Sequence, residues 1–159
     1  MVVKLNLIAA ACDNMGIGKN NNLPWRIRSE MDFFSRMTAT TKDKNKKNVV
    51  IMGRKTWEAI PKKFKPLKGR INFVLSKSDL DLKEYEDVYT FKSLENCIEK
   101  LENNEFKNYY ESVWVIGGSN IYKESMAAKQ FYRLYLTQIL KTYDCDTFFP
   151  EIPDNLKKS

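Results

Sequence analysis

The sequence predicts an α/β domain with a central, mostly parallel β-sheet flanked by helices, and three observations carry that expectation. Short apolar runs of strand length alternate with amphipathic segments of helical period along most of the chain. Residues 113–122, Val-Trp-Val-Ile-Gly-Gly-Ser-Asn-Ile-Tyr, pass from an apolar strand through two glycines into a helix, the junction where an α/β protein seats a nucleotide. The 159 residues are 43% hydrophobic and 30% charged, without a repeat or compositional break, so residues 1–159 read as a single domain with a real core.

Taken in order, residues 3–11 read as a mostly buried strand. Lys4 and Asn6 interrupt the run, which is too short to span a membrane and alternates as a strand does. The glycines and asparagines from Asn14 to Asn22 make a loop, which Leu23-Pro24-Trp25 closes. Its Gly16-Ile17-Gly18 lacks the third glycine of a dinucleotide fingerprint and opens no helix. A helix over 27–39 follows, with Ile27, Glu30, Met31, Phe34 and Met37 at helical spacing. After a lysine-rich connector, residues 49–52 form a buried strand ending at Gly53, and 54–60 a helical segment stopped by Pro61.

A turn at 66–69 leads to a strand over 70–76, and 88–91 is a shorter one. Ser93 caps a helix that gathers Leu94, Cys97, Ile98 and Leu101 on one face. Ser119 stands where it can cap the helix after the 113–116 strand, and residues 132–140 are the last strand.

Composition narrows the chemistry. The chain has no histidine, which excludes imidazole metal sites and every Ser-His or Cys-His scheme. Its three cysteines, Cys12, Cys97 and Cys145, form an odd count without metal spacing, so free thiols in a reducing, cytoplasmic compartment are expected and no metal. The net charge of +7 favours a polyanionic partner. The lysines are scattered without an aromatic–basic stripe, which argues against nucleic acid.

Three constellations stand out, each with a plainer alternative. Gly117 and Gly118 let a ligand lie against the backbone, yet glycine pairs also make ordinary turns. Gly53-Arg54-Lys55-Thr56 sets basic residues where a helix begins, suited to a phosphate or to a solvated turn. Glu30 shares an apolar helical face, either as a buried functional carboxylate or as a first-turn acid stabilising the helix dipole.

Asn14 to Lys19 with Leu23-Pro24-Trp25, then VIMGRKTW (50–57), PLKGRIN (66–72), VIGGS (115–119) and DTFFP (146–150) together resemble dihydrofolate reductases of the animal-like type, in order and at family spacing. The resemblance implies hydride transfer from NADPH to 7,8-dihydrofolate. It places Glu30 as the active-site carboxylate, supported by Thr137, and the loop carrying Leu23 and Trp25 as a gate over the nicotinamide. Ile8, Ala10, Met31, Phe34, Ile60, Pro61, Leu67, Ile116 and Tyr122 would line the substrate pocket, with Arg70 clamping the substrate's α-carboxylate.

For NADPH the resemblance implies Gly118, Ser119 and Asn120 on one side of the pyrophosphate and Arg54, Lys55 and Thr56 on the other, with Gly53 and Gly117 among the cofactor-binding residues. Ser76, Lys77 and Lys92 would read the adenosine 2′-phosphate, with Leu75 beside them in the cofactor set. Ala10, Ile17, Gly18, Ile116 and Tyr122 complete the cofactor set. Lys62, Lys63, Lys65 and Lys68, around Arg70 in sequence, could attract a polyglutamate tail or simply be solvated.

Relatives continue past DTFFP into a C-terminal hairpin that pairs with the strand at 132–140, so the resemblance implies that this chain lacks those strands and exposes a sheet edge. The expected protein is a monomeric reductase, with association possible through that edge. The alternative is a non-catalytic NADPH- or folate-binding remnant, separable by whether turnover occurs without an added chain.

Overall fold

The computed structural model describes residues 3–19 and 28–154, and for Arg28 and Glu30 the backbone alone. The expectations for Leu23, Pro24, Trp25 and Ile27 lie outside the described residues. The elements are β1 (Leu5–Cys12), β2 (Gly16–Gly18), α1 (Arg28–Ala39), β3 (Lys47–Gly53), α2 (Arg54–Ala59), β4 (Arg70–Leu75), β5 (Val88–Phe91), α3 (Leu94–Glu102), β6 (Tyr110–Val115), α4 (Ser119–Ala127), β7 (Phe131–Ile139) and β8 (Thr147–Phe148). Six strands form one sheet in the order β5-β4-β3-β6-β1-β7, and every pairing in it is parallel.

A parallel sheet is covered on both faces, which is why its central strands read as continuous apolar runs. Successive side chains point to opposite faces. Val49, Ile51 and Phe73 join Leu94, Cys97, Leu101, Tyr122 and Met126 in the layer beneath α3 and α4. Val50, Met52, Val74 and Ile8 pack on the other face with Trp57 of α2 and Phe33, Phe34 and Met37 of α1. β7 is an edge strand that pairs with β1 alone among the described residues, and much of it is half-exposed.

The predicted elements are present with small shifts. β3 and β6 begin ahead of their apolar cores because Lys47 pairs with Tyr110, extending the ladder into polar sequence. Ser93 caps α3 as expected, its Oγ accepting from the Asn96 N–H at 3.1 Å.

Ser119 does not cap α4. Gly118 is the N-cap and no side chain bonds there, while the Ser119 hydroxyl donates to the carbonyl of Phe148 at 2.8 Å. The second departure is the Gly16–Gly18 stretch, which is a short strand paired antiparallel with Thr147–Phe148 rather than wholly loop.

The strand starts are tied by buried amides. Asn48, fully buried, donates to the carbonyls of Thr38 at 3.0 Å and Thr40 at 2.9 Å. Its Oδ1 accepts from the N–H of Ser112 at 3.1 Å and from that residue's hydroxyl at 2.7 Å. Asn72 likewise binds the backbone of Leu67 in both directions, fixing the turn into β4.

Candidate active site

Because the sheet is parallel, the C-terminal ends of its strands share one edge, where the orphan backbone of strand-to-helix turns faces outward. Two such turns stand side by side, since β3 and β6 are neighbours. The Gly53 N–H donates to the Gly117 carbonyl at 2.9 Å, joining the start of α2 to the turn before α4. Gly117 has φ of +129°, a conformation that L side chains rarely adopt, and its peptide to Gly118 is cis. A Cβ on Gly117 would lie 3.4 Å from the hydroxyl oxygens of both Thr56 and Tyr122. The two junctions thus form one floor of bare backbone, flanked by Arg54, Lys55 and Thr56 on one side and Ser119 and Asn120 on the other.

Further along the same edge, the ends of β4 and β5 enclose a cavity of ≈190 Å³ lined by Ser76, Ser78, Asp79, Lys92 and their neighbours. Lys92 Nζ contacts Asp79 Oδ1 at 2.6 Å and donates to the carbonyl of Lys77 at 3.2 Å. That lysine holds the Asp79 carboxyl below the ordinary carboxylate range. Arg54 reaches into the same region, its Nη1 donating to Ser78 Oγ at 2.8 Å while its Nε pairs with Glu58 at 3.0 Å. Ser78 and Asp79 were not among the predicted site residues. Their signal was adjacency to Ser76 and Lys77 on a strand end.

The apolar residues expected to bind substrate come together in part. Ile8, Phe34, Ile60, Leu67 and Ile116 belong to the one cluster that packs α1 and α2 on the sheet. Tyr122 lies in the opposite layer and donates its hydroxyl to the Ile8 carbonyl at 2.9 Å. Ala10 faces a third cluster with Cys12, and Met31 and Pro61 are exposed. Thr137 is half-buried on β7 opposite Ala10. Position 30 falls in the first turn of α1.

Arg70 stands at the other edge of the sheet, at the start of β4, and is 8% exposed. Its Nε donates to the Lys68 carbonyl at 3.0 Å and its Nη1 to Thr38 Oγ1 at 2.9 Å. Burial lowers its pKa. It borders a cavity of ≈340 Å³ that also touches Lys65, Leu67 and Lys68. The guanidinium is therefore braced on two sides, as a carboxylate clamp needs to be.

Among the described residues no group of three or more His, Cys, Asp or Glu could hold a metal, and no helix is long and apolar enough to cross a membrane.

The chain is similar to known proteins over most of its length. The profile described as dihydrofolate reductase matches residues 4–158. The chain is 51% identical to the dihydrofolate reductase of Heliothis virescens, over 94% of this chain and 80% of that protein. It is 49% identical to the enzyme of Sus scrofa, over 93% and 80%. In three dimensions it is similar to Schistosoma mansoni dihydrofolate reductase, with a TM-score of 0.85 and 40% identity over 98% of this chain and 84% of that one.

Proposed function

The chain belongs to the dihydrofolate reductase family, and from that premise we propose that it reduces 7,8-dihydrofolate to 5,6,7,8-tetrahydrofolate with NADPH, in support of one-carbon metabolism. The observation that carries the reading is the paired glycine junction at the C-terminal edge, bound together by Gly53 and Gly117 and flanked by basic and hydroxyl side chains.

The residues present fit a dinucleotide. The positive φ of Gly117 disfavours any side chain there, so the floor stays bare. Arg54 and Lys55 would hold the pyrophosphate from one side, with Ser119 and Asn120 on the other. Ser76, Ser78 and Lys92 offer hydroxyls and an ammonium to a 2′-phosphate, which is the basis for preferring NADPH to NADH. When bound, NADPH supplies the hydride.

The rest is done by the chain's own residues. Glu30 holds the pterin's amino group and ring nitrogen and supports protonation of the ring; in a chain without histidine, a carboxylate is the natural group for that task. Thr137 positions Glu30 from β7. Ile8, Phe34, Ile60 and Ile116 exclude water from the ring, and Arg70 clamps the α-carboxylate of the glutamate. The chain works as a monomer in the cytoplasm.

The test is dihydrofolate-dependent loss of NADPH absorbance with the purified chain beside Glu30→Gln. Turnover by the parent that the variant abolishes supports the reading. Equal rates in both would remove Glu30 from the chemistry, and no turnover by a folded parent would favour a binding remnant.

A further inference from the structure

We propose that Cys12 and Cys145 form a redox modification site, oxidised by a peroxide to an intramolecular disulfide that ties the end of β1 to the segment before β8. The two sulfurs lie 3.9 Å apart although 133 residues separate them, and both are free thiols. Closing to the ~2.05 Å of an S–S bond needs about 2 Å of travel.

The approach is built in from both sides of Cys145. On one side the Tyr143 carbonyl accepts from Asn14 Nδ2 at 3.3 Å, and on the other the Asp146 N–H donates to the Gly18 carbonyl at 2.9 Å. Gly16 makes the room, because a Cβ there would stand 2.2 Å from Cys145 Sγ and 2.7 Å from its Cβ. Asn14 Oδ1 accepts from both the Gly16 N–H and the Cys12 thiol, orienting the deeper sulfur.

The two thiols divide the roles, Cys145 as the more accessible sulfur and Cys12 as the readier thiolate to resolve it. Cys12 is fully buried, while Cys145 is half-buried and the more accessible of the two. Burial works to raise the Cys12 thiol, but backbone hydrogen bonds at Tyr143, Asn14 and Gly16 and the contact with Cys145 outweigh it and hold it below the ordinary range. Burial and the Cys12 sulfur raise Cys145.

The chemistry balances with one peroxide. Its O–O bond breaks as Cys145 sulfur takes one oxygen to become a sulfenic acid, and the other leaves as water with the thiol proton. Cys12 sulfur then attacks Cys145 sulfur. The S–S bond forms, the S–O bond breaks, and hydroxide leaves with the Cys12 proton as a second water. Together the thiols lose two electrons and two protons, which a dithiol reductant restores. Cys97 is the internal contrast. It is buried in α3, and burial with the nearby Glu124 carboxylate pushes its thiol far up, away from reactivity.

The experiment treats the reduced full chain with a few equivalents of hydrogen peroxide, alkylates the remaining thiols, and maps the digest by mass spectrometry. The expected result is loss of two hydrogens, peptides of Cys12 and Cys145 joined, Cys97 alkylated, and full reversal by dithiothreitol. Cys145→Ser should leave Cys12 alkylatable, and Cys12→Ser should let Cys145 proceed to sulfinic acid because no resolving thiol remains. Disulfides found only between molecules would overturn the proposal. So would over-oxidation of Cys145 in the parent with Cys12 still free, or three unmodified thiols. None of these readouts depends on reductase activity.

Discussion

Where β3, β4, β5 and β6 end, charged side chains stand in water and hold one another; where they begin, one exposed pair, Lys47 with Asp87, sits beside polar side chains that are buried and hold the backbone. At the first edge Arg54 pairs with Glu58, and Lys92 with Asp79, with every side chain about half-exposed or more. At the second, Asn48, Asn72 and Arg70 are buried, and their hydrogen bonds go to carbonyls, N–H groups and the Thr38 and Ser112 hydroxyls. Exposed pairs cost little to break, so the first edge can turn its cations toward an arriving phosphate. Buried donors cannot be redirected cheaply, so the second edge holds one arrangement whether or not a ligand is present.

The sharpest test of that difference is Asn48→Ala. It removes a side chain that makes four hydrogen bonds to α1, its following turn and β6, and leaves their buried partners unpaired. A loss of about 3 kcal/mol or more in urea unfolding is expected. A loss below ~1 kcal/mol would show that water enters and that the edge is not rigid.

Arg70→Met comes next and separates rigidity from binding. The Thr38 hydroxyl and the Lys68 carbonyl lose their partner. The KM for dihydrofolate should rise roughly ten- to a hundredfold, the ~1.5–3 kcal/mol of a charged hydrogen-bonded contact, with kcat changed far less. Equal falls in kcat and kcat/KM would mean that Arg70 acts on the transition state rather than on the carboxylate.

The contrast between the edges also governs what could be read from sequence. Val49 to Met52 and Phe73 to Leu75 declare themselves because a strand covered on both faces is apolar without interruption. Ser93 declares itself because a cap bonds a residue three positions away. Partners fixed by the fold leave no such local mark. Ser119 has the position of a cap but gives its hydroxyl to Phe148, and β2 is a strand only because β8 meets it. Asn48 gave no sign of its reach to Ser112 across 64 residues. In the site, the glycine junctions and the basic residues near them were legible as local patterns, whereas Ser78, Asp79 and the bracing of Arg70 by Thr38 depend on which strands lie side by side.

A smaller effect is expected at the exposed edge from Arg54→Gln. Stability should change by less than ~0.5 kcal/mol, since the pair with Glu58 is an exposed i,i+4 contact. The KM for NADPH should nevertheless rise severalfold, because the cation is free to turn from Glu58 and Ser78 to the pyrophosphate. A stability loss comparable to that of Asn48→Ala would make Arg54 structural and erase the distinction between the edges.

The smallest effect is expected from Asp79→Asn, and its sign is the informative part. Asp79 is the acid that occupies Lys92 in the cavity proposed for the 2′-phosphate. A resident carboxylate competes with an incoming phosphate for the same ammonium and also repels it. Neutralising it should therefore strengthen NADPH binding while leaving NADH unchanged, and added salt should shrink the difference because both groups are exposed. The Lys92 pairing lowers the folded Asp79 carboxyl relative to the unfolded chain, so its contribution to stability is present above the unfolded pKa and is lost as pH falls through the folded one. The NADPH gain in Asp79→Asn should accordingly be full at neutral pH and disappear in acid, where the parent carboxyl is itself protonated. Weaker NADPH binding in the variant would reverse the reading, making Asp79 a brace that holds Lys92 in place, as Thr38 braces Arg70 at the opposite edge.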